Sequence, residues 1–373
     1  MTTMHVVAVT TSHRGDDARI VHRQARVLLG LGHRVTLVAP DPGDDARRLD
    51  PLGLERRIVP RASGRRRMGA WRAARRAVLS LRSEADVVLI HDLELVSIVT
   101  TMRRRGALFV WDVHEDFEAM AGEAAWIPRR LRPIVRATVG IAEAHARVRC
   151  RILLAESGYR KRFPSAPVVP NSTWTPESVE PPDDDPRVVY IGRVSVDRGA
   201  QELVALGEKL ARMGGPRVVV VGQADDDCRS ILADAHDRGT IEWLGPLPNP
   251  VALTVLDGAL AGLSLLRDTD NYRVSLPTKV IEYLAHGVPA ISTPLPQAAA
   301  LIEDAAAGVV TKSWTGATLV DEVAAAVFDY AANRSNRSSE GERGWRYVRD
   351  NASWNSDGRR FVEALEGFVR SGE

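Results

Sequence analysis

The sequence predicts an α/β protein made of two parallel-sheet domains in tandem. Three observations carry this. The chain has 373 residues, too many for one ordinary core and suited to two domains of common size. Short apolar runs alternate with helix-like patterns, the rhythm of strand–helix–strand units. A Pro- and Asp-rich stretch, 175–186, interrupts that rhythm near the middle, after which the same plan restarts.

Taken in order, His5–Thr10 reads as a strand. The polar loop TSHRGDDAR follows, with Gly15 as its one glycine. It therefore lacks the glycine fingerprint of dinucleotide sites, which argues against an NAD-linked dehydrogenase. A helix pattern covers Ile20–Leu31, Gly32 stops it, and Val35–Ala39 is the next strand. Arg61–Arg82 reads as a loop and then a helix. Asp86–His91 is a strand, Leu93–Arg105 a helix and Ala107–Val113 a strand. Trp126-Ile127-Pro128 introduces a second basic helix to Arg149, followed by the strand Arg151–Glu156. PVVPN, Pro167–Asn171, closes the first domain.

In the second half, strands are expected at Val188–Ile191, Arg217–Val221, Ile241–Leu244, Leu263–Leu266 and Ala290–Thr293. Helices are expected at Gln201–Met213, then to Arg238, at Leu253–Ala261, Lys279–His286 and Ala317–Ala332. Asn333–Gly344 is polar and expected to be exposed, and Trp354–Val369 is amphipathic. The expected domains are 1–174 and 187–353, with 354–373 as a terminal helix. Two such domains imply a cleft between them, a usual place for a ligand.

The net charge of +2 excludes a globally basic nucleic-acid binder. The positive charge is uneven. No acid occurs from Arg56 to Arg82, where Arg65, Arg66, Arg67, Arg72, Arg75 and Arg76 cluster. A second run holds Arg129, Arg130, Arg132 and Arg136. Such patches suit phosphates or an anionic membrane surface, and the plainer reading is solvated helix faces. Cys150 and Cys228 have no metal or redox spacing, which fits a reduced, cytoplasmic setting. No apolar run resembles a signal peptide or reaches the ~20 residues of a membrane span, so any membrane contact is expected to be peripheral.

The chemistry concentrates in three places. SLPTKVIEYLAHGVPAISTP, Ser275–Pro294, reads as a capped helix start followed by a buried strand. Free N–H groups and the dipole there suit an anion, with Lys279 for phosphate and Glu282, three residues on, for ribose hydroxyls. The alternative is a Lys–Glu pair in solvent. GRVSVDRG follows a strand directly, and Arg193 and Arg198 flank its turn, two permanent charges suited to a diphosphate. No metal clamp stands out, and Asp225-Asp226-Asp227 reads as a polar loop. In the first domain, His91-Asp92 and His114-Glu115 fall at strand ends, where parallel sheets bind ligands.

With these residues in view, the chain resembles the GT-B glycosyltransferases of family 4, which are retaining and use nucleotide sugars. The resemblance rests on GRVSVDRG, LGPLP, PTKVIEYLAHGVPAIST and EDAAAGVV in the second half. In the first it rests on DARIVHRQARVLLGLGHRVTLVA, HDLELV and DVHEDFE. It implies two Rossmann-like domains facing each other across a cleft, the second binding the donor and the final helix crossing back to the first. It implies transfer from a UDP- or GDP-sugar to a sugar, lipid-linked or small-molecule acceptor, with no metal and no nucleic acid. Catalytic roles fall on His114, Arg193, Arg198 and Lys279. Donor contacts fall on Gly192, Gly245, Ser275, Thr278 and Glu282, and cleft contacts on Asp17, Arg19, His91 and Glu115. Arg198 stands where the family more often has Lys. Val274 stands where it has the first acid of a paired-glutamate motif, with Asp270 or Asn271 as substitutes. Two other readings remain, a nucleotide-sugar 2-epimerase of the same fold and a non-catalytic sugar-binding relative.

Overall fold

The computed structural model describes residues 3–43, 53–101, 107–114, 129–275 and 277–371. They divide into two compact units: Met1–Asn171 with Ser356–Glu373, and Ser172–Asn355.

The sheet of the first unit contains β1 (His5–Val9), β2 (Arg34–Ala39), β3 (Glu55–Ile58), β4 (Val87–Ile90), β5 (Leu108–Val113) and β6 (Arg151–Leu154). Its order is β3-β2-β1-β4-β5-β6, and its pairs run parallel. Parallel sheets are covered on both faces, so their strands read as unbroken apolar runs. All of β4 is buried, for example. The order reverses between β1 and β4, and the loops leaving those strands therefore diverge at the carboxyl edge.

After β1, Asp17 caps a π-helix, Ala18–Ala25, accepting from the N–H groups of Arg19 and Ile20. The π-helix runs into α1 (Arg26–Gly30) and buries three polar residues, Arg19, Arg23 and Gln24. The other helices are α2 (Arg67–Leu81), a 3-10 segment Leu93–Thr101 where an α-helix was expected, and α3 (Arg132–Arg149). Strand β3, ERRI, has no apolar run to announce it, and its edge position tolerates that polarity.

The second unit repeats the plan. Strands β7 (Arg187–Ile191), β8 (Arg217–Val221), β9 (Glu242–Gly245), β10 (Ala261–Ser264), β11 (Ala290–Ser292) and β12 (Gly308–Val310) follow the order β12-β11-β10-β7-β8-β9. The reversal now lies between β7 and β10. The helices are α4 (Ala200–Arg212), α5 (Asp226–Asp237), α6 (Asn249–Thr254), α7 (Asp270–Val274), α8 (Thr278–Ala285), α9 (Pro296–Ala305), α10 (Gly316–Ala332) and α11 (Arg334–Asn351).

Three expectations change here. The helix placed at Leu253–Ala261 is α6, started earlier by a proline in its first turn. The stretch 333–344, read as exposed, belongs to α11, which buries Arg337, Gly341, Gly344 and Val348. A Cβ on Gly341 would lie 2.1 Å from the carbonyl oxygen of Gly287, so only glycine permits this approach. The segment read as a linker is tied into the second unit. The Asp183 N–H donates to the Gly258 oxygen (2.9 Å), and Trp345 Nε1 donates to the Pro176 oxygen (2.9 Å). The last helix, α12 (Trp354–Arg370), groups from Ser356 onward with the first unit.

Candidate functional site

The second unit's site is built on the ends of β7 and β10. Gly192, Gly222 and Gly245 follow or close β7, β8 and β9, and each has positive φ. A Cβ on Gly222 would lie 1.8 Å from the Gly192 oxygen, so the chain can press these strand ends together only with glycine there. Tyr283, on α8, spans the point where the strand order reverses. Its hydroxyl accepts from the Ile191 N–H (3.0 Å) on β7 and donates to the Leu263 oxygen (2.9 Å) on β10. A side chain at Gly262 would collide with its ring. This seating fixes the start of α8 against the sheet edge.

One turn before Tyr283, Lys279 is buried, and so is Glu282. The pair is therefore not the solvent-exposed couple of the plainer reading. Lys279 Nζ stands 3.7 Å from the centre of the Tyr190 ring and donates no hydrogen bond among the described residues. The space above Gly192 is beside it, since a Cβ there would lie 3.8 Å from Nζ. Burial, reinforced by the charge of Arg198, holds the ammonium well below the ordinary lysine range, and Glu282 opposes them. A ring face compensates an ammonium only in part. Glu282 attracts the group, yet none of the described residues hydrogen-bonds it. Thr278 opens α8 behind Pro277, which supplies no side-chain cap, so first-turn N–H groups remain for another acceptor. Ser275 is not the cap: it has extended backbone three residues before the helix.

Arg198 lies over the Tyr272 ring, 5.8 Å from its centre. Arg193 is engaged elsewhere. Its guanidinium makes a two-point pair with Asp225 (2.6 and 2.8 Å) on the largely exposed side of the loop. Its backbone oxygen accepts from the Tyr190 hydroxyl (2.7 Å). Asp225 is thus more than a polar loop residue, because it occupies the fork that a diphosphate would need. The structure brings Arg198 and Lys279 together around Tyr190, while Arg193 reaches them only through its backbone.

In the first unit, the ends of β1, β4 and β5 gather a buried polar cluster. Asp112 accepts from Arg19 Nε (2.8 Å), Arg19 Nη2 (2.8 Å) and Gln24 Nε2 (2.8 Å). Burial works against its ionisation, but Arg19 and the neighbouring histidines outweigh it, and its pKa lies well below the carboxylate range. Asp92 ties down the loop after β1 by accepting from Thr10 Oγ1, the Thr11 N–H and Oγ1, and the Ser12 N–H. His91 Nδ1 lies 3.4 Å from Asp112. The His114 side chain is largely enclosed beside His13 and His91, with ring centres 4.8 and 5.6 Å away. Burial first, then His13, His91 and Arg19, lower its pKa to about 4 against the pull of Asp112.

Arg19 and His91, expected to face a ligand, are buried supports. Asp17 is partly exposed and caps the π-helix. Glu115 lies outside the described residues. His13 escaped the sequence reading, although the quoted loop contains it, and Asp92 and Asp112 were placed at strand ends without a role. His91, Asp112 and His114 offer ligand atoms within 4.8 Å of one another. Arg19 and Gln24 already fill the carboxylate, and a cation there would meet the Arg19 charge, so the grouping does not fit a metal.

Comparisons agree with this architecture. Residues 18–161 match the model of the glycosyl transferase 4-like domain, and residues 185–329 that of glycosyl transferases group 1. No curated protein sequence matches the chain. Among solved structures, sucrose-phosphate synthase from Thermosynechococcus elongatus aligns over 99% of this chain and 100% of its own, at 13% identity and TM-score 0.72. HepE of Anabaena, solved in complex with UDP-glucose, aligns over 98% and 100%, at 11% identity and TM-score 0.68. WaaG, a glycosyltransferase involved in lipopolysaccharide biosynthesis, aligns over 98% and 100%, at 14% identity and TM-score 0.66. At these identities the likeness is one of fold. Together with the two domain matches it defines a GT-B glycosyltransferase. The chain belongs to the group 1, family 4 type of these enzymes.

Proposed function

We propose that the second unit binds the diphosphate of a UDP- or GDP-sugar and that the sugar passes, with retained configuration, to an acceptor hydroxyl. The acceptor is a sugar, a lipid-linked sugar or a small molecule. The observation that carries this is Lys279, a buried ammonium beside Gly192 with no hydrogen-bond partner among the described residues. A nucleotide diphosphate would supply that partner. Arg198 and the open first turn of α8 add to the same field, with Ser275 and Thr278 at its entrance, Gly192 and Gly245 admitting backbone contacts, and Glu282 for the ribose. Arg193 joins on leaving Asp225. Two or three cations and a helix start can steady the leaving diphosphate, so the reaction needs no metal. The UDP-glucose complex of HepE supports a uridine nucleotide as the first donor to test.

A thermal-shift series with UDP, GDP, TDP and ADP tests this. The matching nucleotide should stabilise the protein by about 2.7 kcal/mol at a hundred times its Kd. A protein that none of the four stabilises, at millimolar concentration, would not be a nucleotide-sugar enzyme of this design. Incubation with donor alone separates the 2-epimerase reading: an epimerase converts the sugar without acceptor.

We also propose that α3 rests on an anionic membrane surface while the enzyme works. None of the described helices is long and apolar enough to cross a membrane. Yet Ile134, Ile141 and Val148, at seven-residue spacing, are 63%, 71% and 80% exposed along α3. Arg130, Arg136, Arg147 and Arg149 accompany them, and the helix's one acid, Glu143, is buried against Arg162. A second copy would set arginine against arginine, whereas an anionic surface accepts both the stripe and its charges. Cosedimentation with vesicles containing phosphatidylglycerol should show binding that falls with salt and is abolished by Ile141→Glu. Equal binding to neutral vesicles would count against it.

A further inference from the structure

The loop after β1 and the end of β5 bring two imidazoles into hydrogen-bond contact, and heavy-atom geometry determines where the proton sits. His114 Nδ1 lies 3.0 Å from the backbone oxygen of Asp112. A carbonyl oxygen only accepts, so Nδ1 carries a hydrogen. His114 Nε2 lies 3.1 Å from His13 Nε2, and one of these two nitrogens must donate. His114 is neutral near pH 7, since its pKa lies at about 4, so its Nε2 is a bare lone pair. His13 Nε2 is then the donor. The remaining nitrogen of His13, Nδ1, lies 3.6 Å from Asp17 Oδ2, and its Nε2 lies 3.7 Å from Asp92 Oδ1. A bare Nδ1 lone pair would face the Asp17 carboxylate, whereas an N–H there is attracted to it.

We propose that His13 is the positioning residue of this cluster: it carries the imidazolium charge, donates to His114 Nε2, and so, together with burial, holds His114 neutral, in one tautomer and one orientation. Both nitrogens of His114 are then engaged. A ligand reaching this edge meets a rigid, uncharged ring, with the cation one residue away and balanced by Asp17 and Asp92. The other charged or titratable groups around the pair act in known directions. Arg19 and His91 disfavour a second proton on His114, and Asp112 favours one. Glu94 faces the same loop through Thr11 Oγ1 (3.3 Å). The role in sugar transfer rests on the function proposed above; the position of the proton does not.

The test separates the two. In the full chain labelled with 15N-histidine, two-bond 15N–1H spectra at pH 7 should show an imidazolium that disappears in His13→Ala and in His13→Gln. They should also show His114 as the Nδ1–H tautomer. His114 should take up a proton near pH 4 in the wild type and at distinctly higher pH in both variants, because the repelling charge is gone. A neutral His13, or His114 found as the Nε2–H tautomer, overturns the proposal, and the wild-type spectrum alone can show either. With donor and acceptor in hand, His13→Ala should lower kcat/KM about tenfold, and His13→Gln, which keeps an N–H donor, by less. The acid limb of the profile should move to higher pH in both variants. A kcat/KM–pH profile unchanged in both would overturn the positioning role.

Discussion

Lys279→Met is expected to lower kcat/KM by about two to three orders of magnitude, the usual cost of removing one preorganised charge from a developing anion. The same change is expected to raise the melting temperature in the absence of nucleotide. The two effects have one cause. Lys279 is buried against the Tyr190 ring without a hydrogen-bond partner among the described residues, so the folded protein bears the desolvation of an ammonium that the ring and Glu282 offset only in part. Methionine fills similar volume without charge. A gain of about 1 kcal/mol would show as roughly 2–4 °C in a unit of this size. The pH dependence gives the sign. The folded-state pKa is depressed below that of the unfolded chain, so the unfolded state binds more protons and wild-type stability rises as pH climbs from the folded value toward the unfolded one, near 10.4. The advantage of the methionine variant should therefore be largest near neutral pH and shrink in alkali. Nucleotide should reverse the order, stabilising wild type and leaving the variant nearly unmoved. Differential scanning calorimetry with and without the nucleotide reads all of this. A variant less stable than wild type in the free state would mean that Lys279 is compensated in the fold and is no vacant anion site.

How much of this was legible in the sequence follows from what each element buries. The central strands were clear because parallel pairing buries both faces, so Val87–Ile90 and Val218–Val221 are apolar without interruption. Strand β3 was hidden because its edge position asks for little apolar surface, and α11 because its buried face is made of Arg337, Gly341, Gly344 and Val348. Glycine counts as polar or as a breaker in a periodicity reading, yet here it marks the face that approaches α8 most closely. The 4-3-4 spacing of those residues was the available signal. The placement of Lys279 and Glu282 at the start of one helix was legible because both lie within one short segment, where local spacing determines their faces. Arg193 shows the limit of local spacing, since Asp225, thirty-two residues on, holds its guanidinium in the free chain. The first-unit cluster was legible only in part for the same reason. His13, Asp92 and Asp112 meet because three strands pair in the order β1-β4-β5, and pairing order is a property of the whole sheet.

Asp112→Ala is expected to destabilise the protein by about 3–5 kcal/mol, the cost of leaving one member of a buried ion pair without its partner. Arg19 is buried, donates two bonds to this carboxylate and one to the Val169 oxygen, and Gln24 donates a third bond to Asp112. Removal leaves a charged guanidinium and an amide facing a buried void without their acceptor. The pair itself is another matter, because its Coulomb gain is largely consumed by desolvation. The double variant Arg19→Met, Asp112→Leu should accordingly recover most of the lost stability while still losing activity, since the π-helix capped by Asp17 then loses its Arg19 tie to the end of β5 and Asp92 alone holds the loop. The acid side follows from the depressed pKa of Asp112. Its contribution is fully present above the unfolded aspartate value of about 3.9 and is lost as pH falls through the lower folded value. Wild type and Asp112→Ala should therefore differ by a constant amount in urea unfolding from neutral pH down to about 4, and converge below it. A variant within 1 kcal/mol of wild type at pH 7 would show that Arg19 finds other acceptors, and the cluster would then be a set of separate contacts in place of one interlocked support.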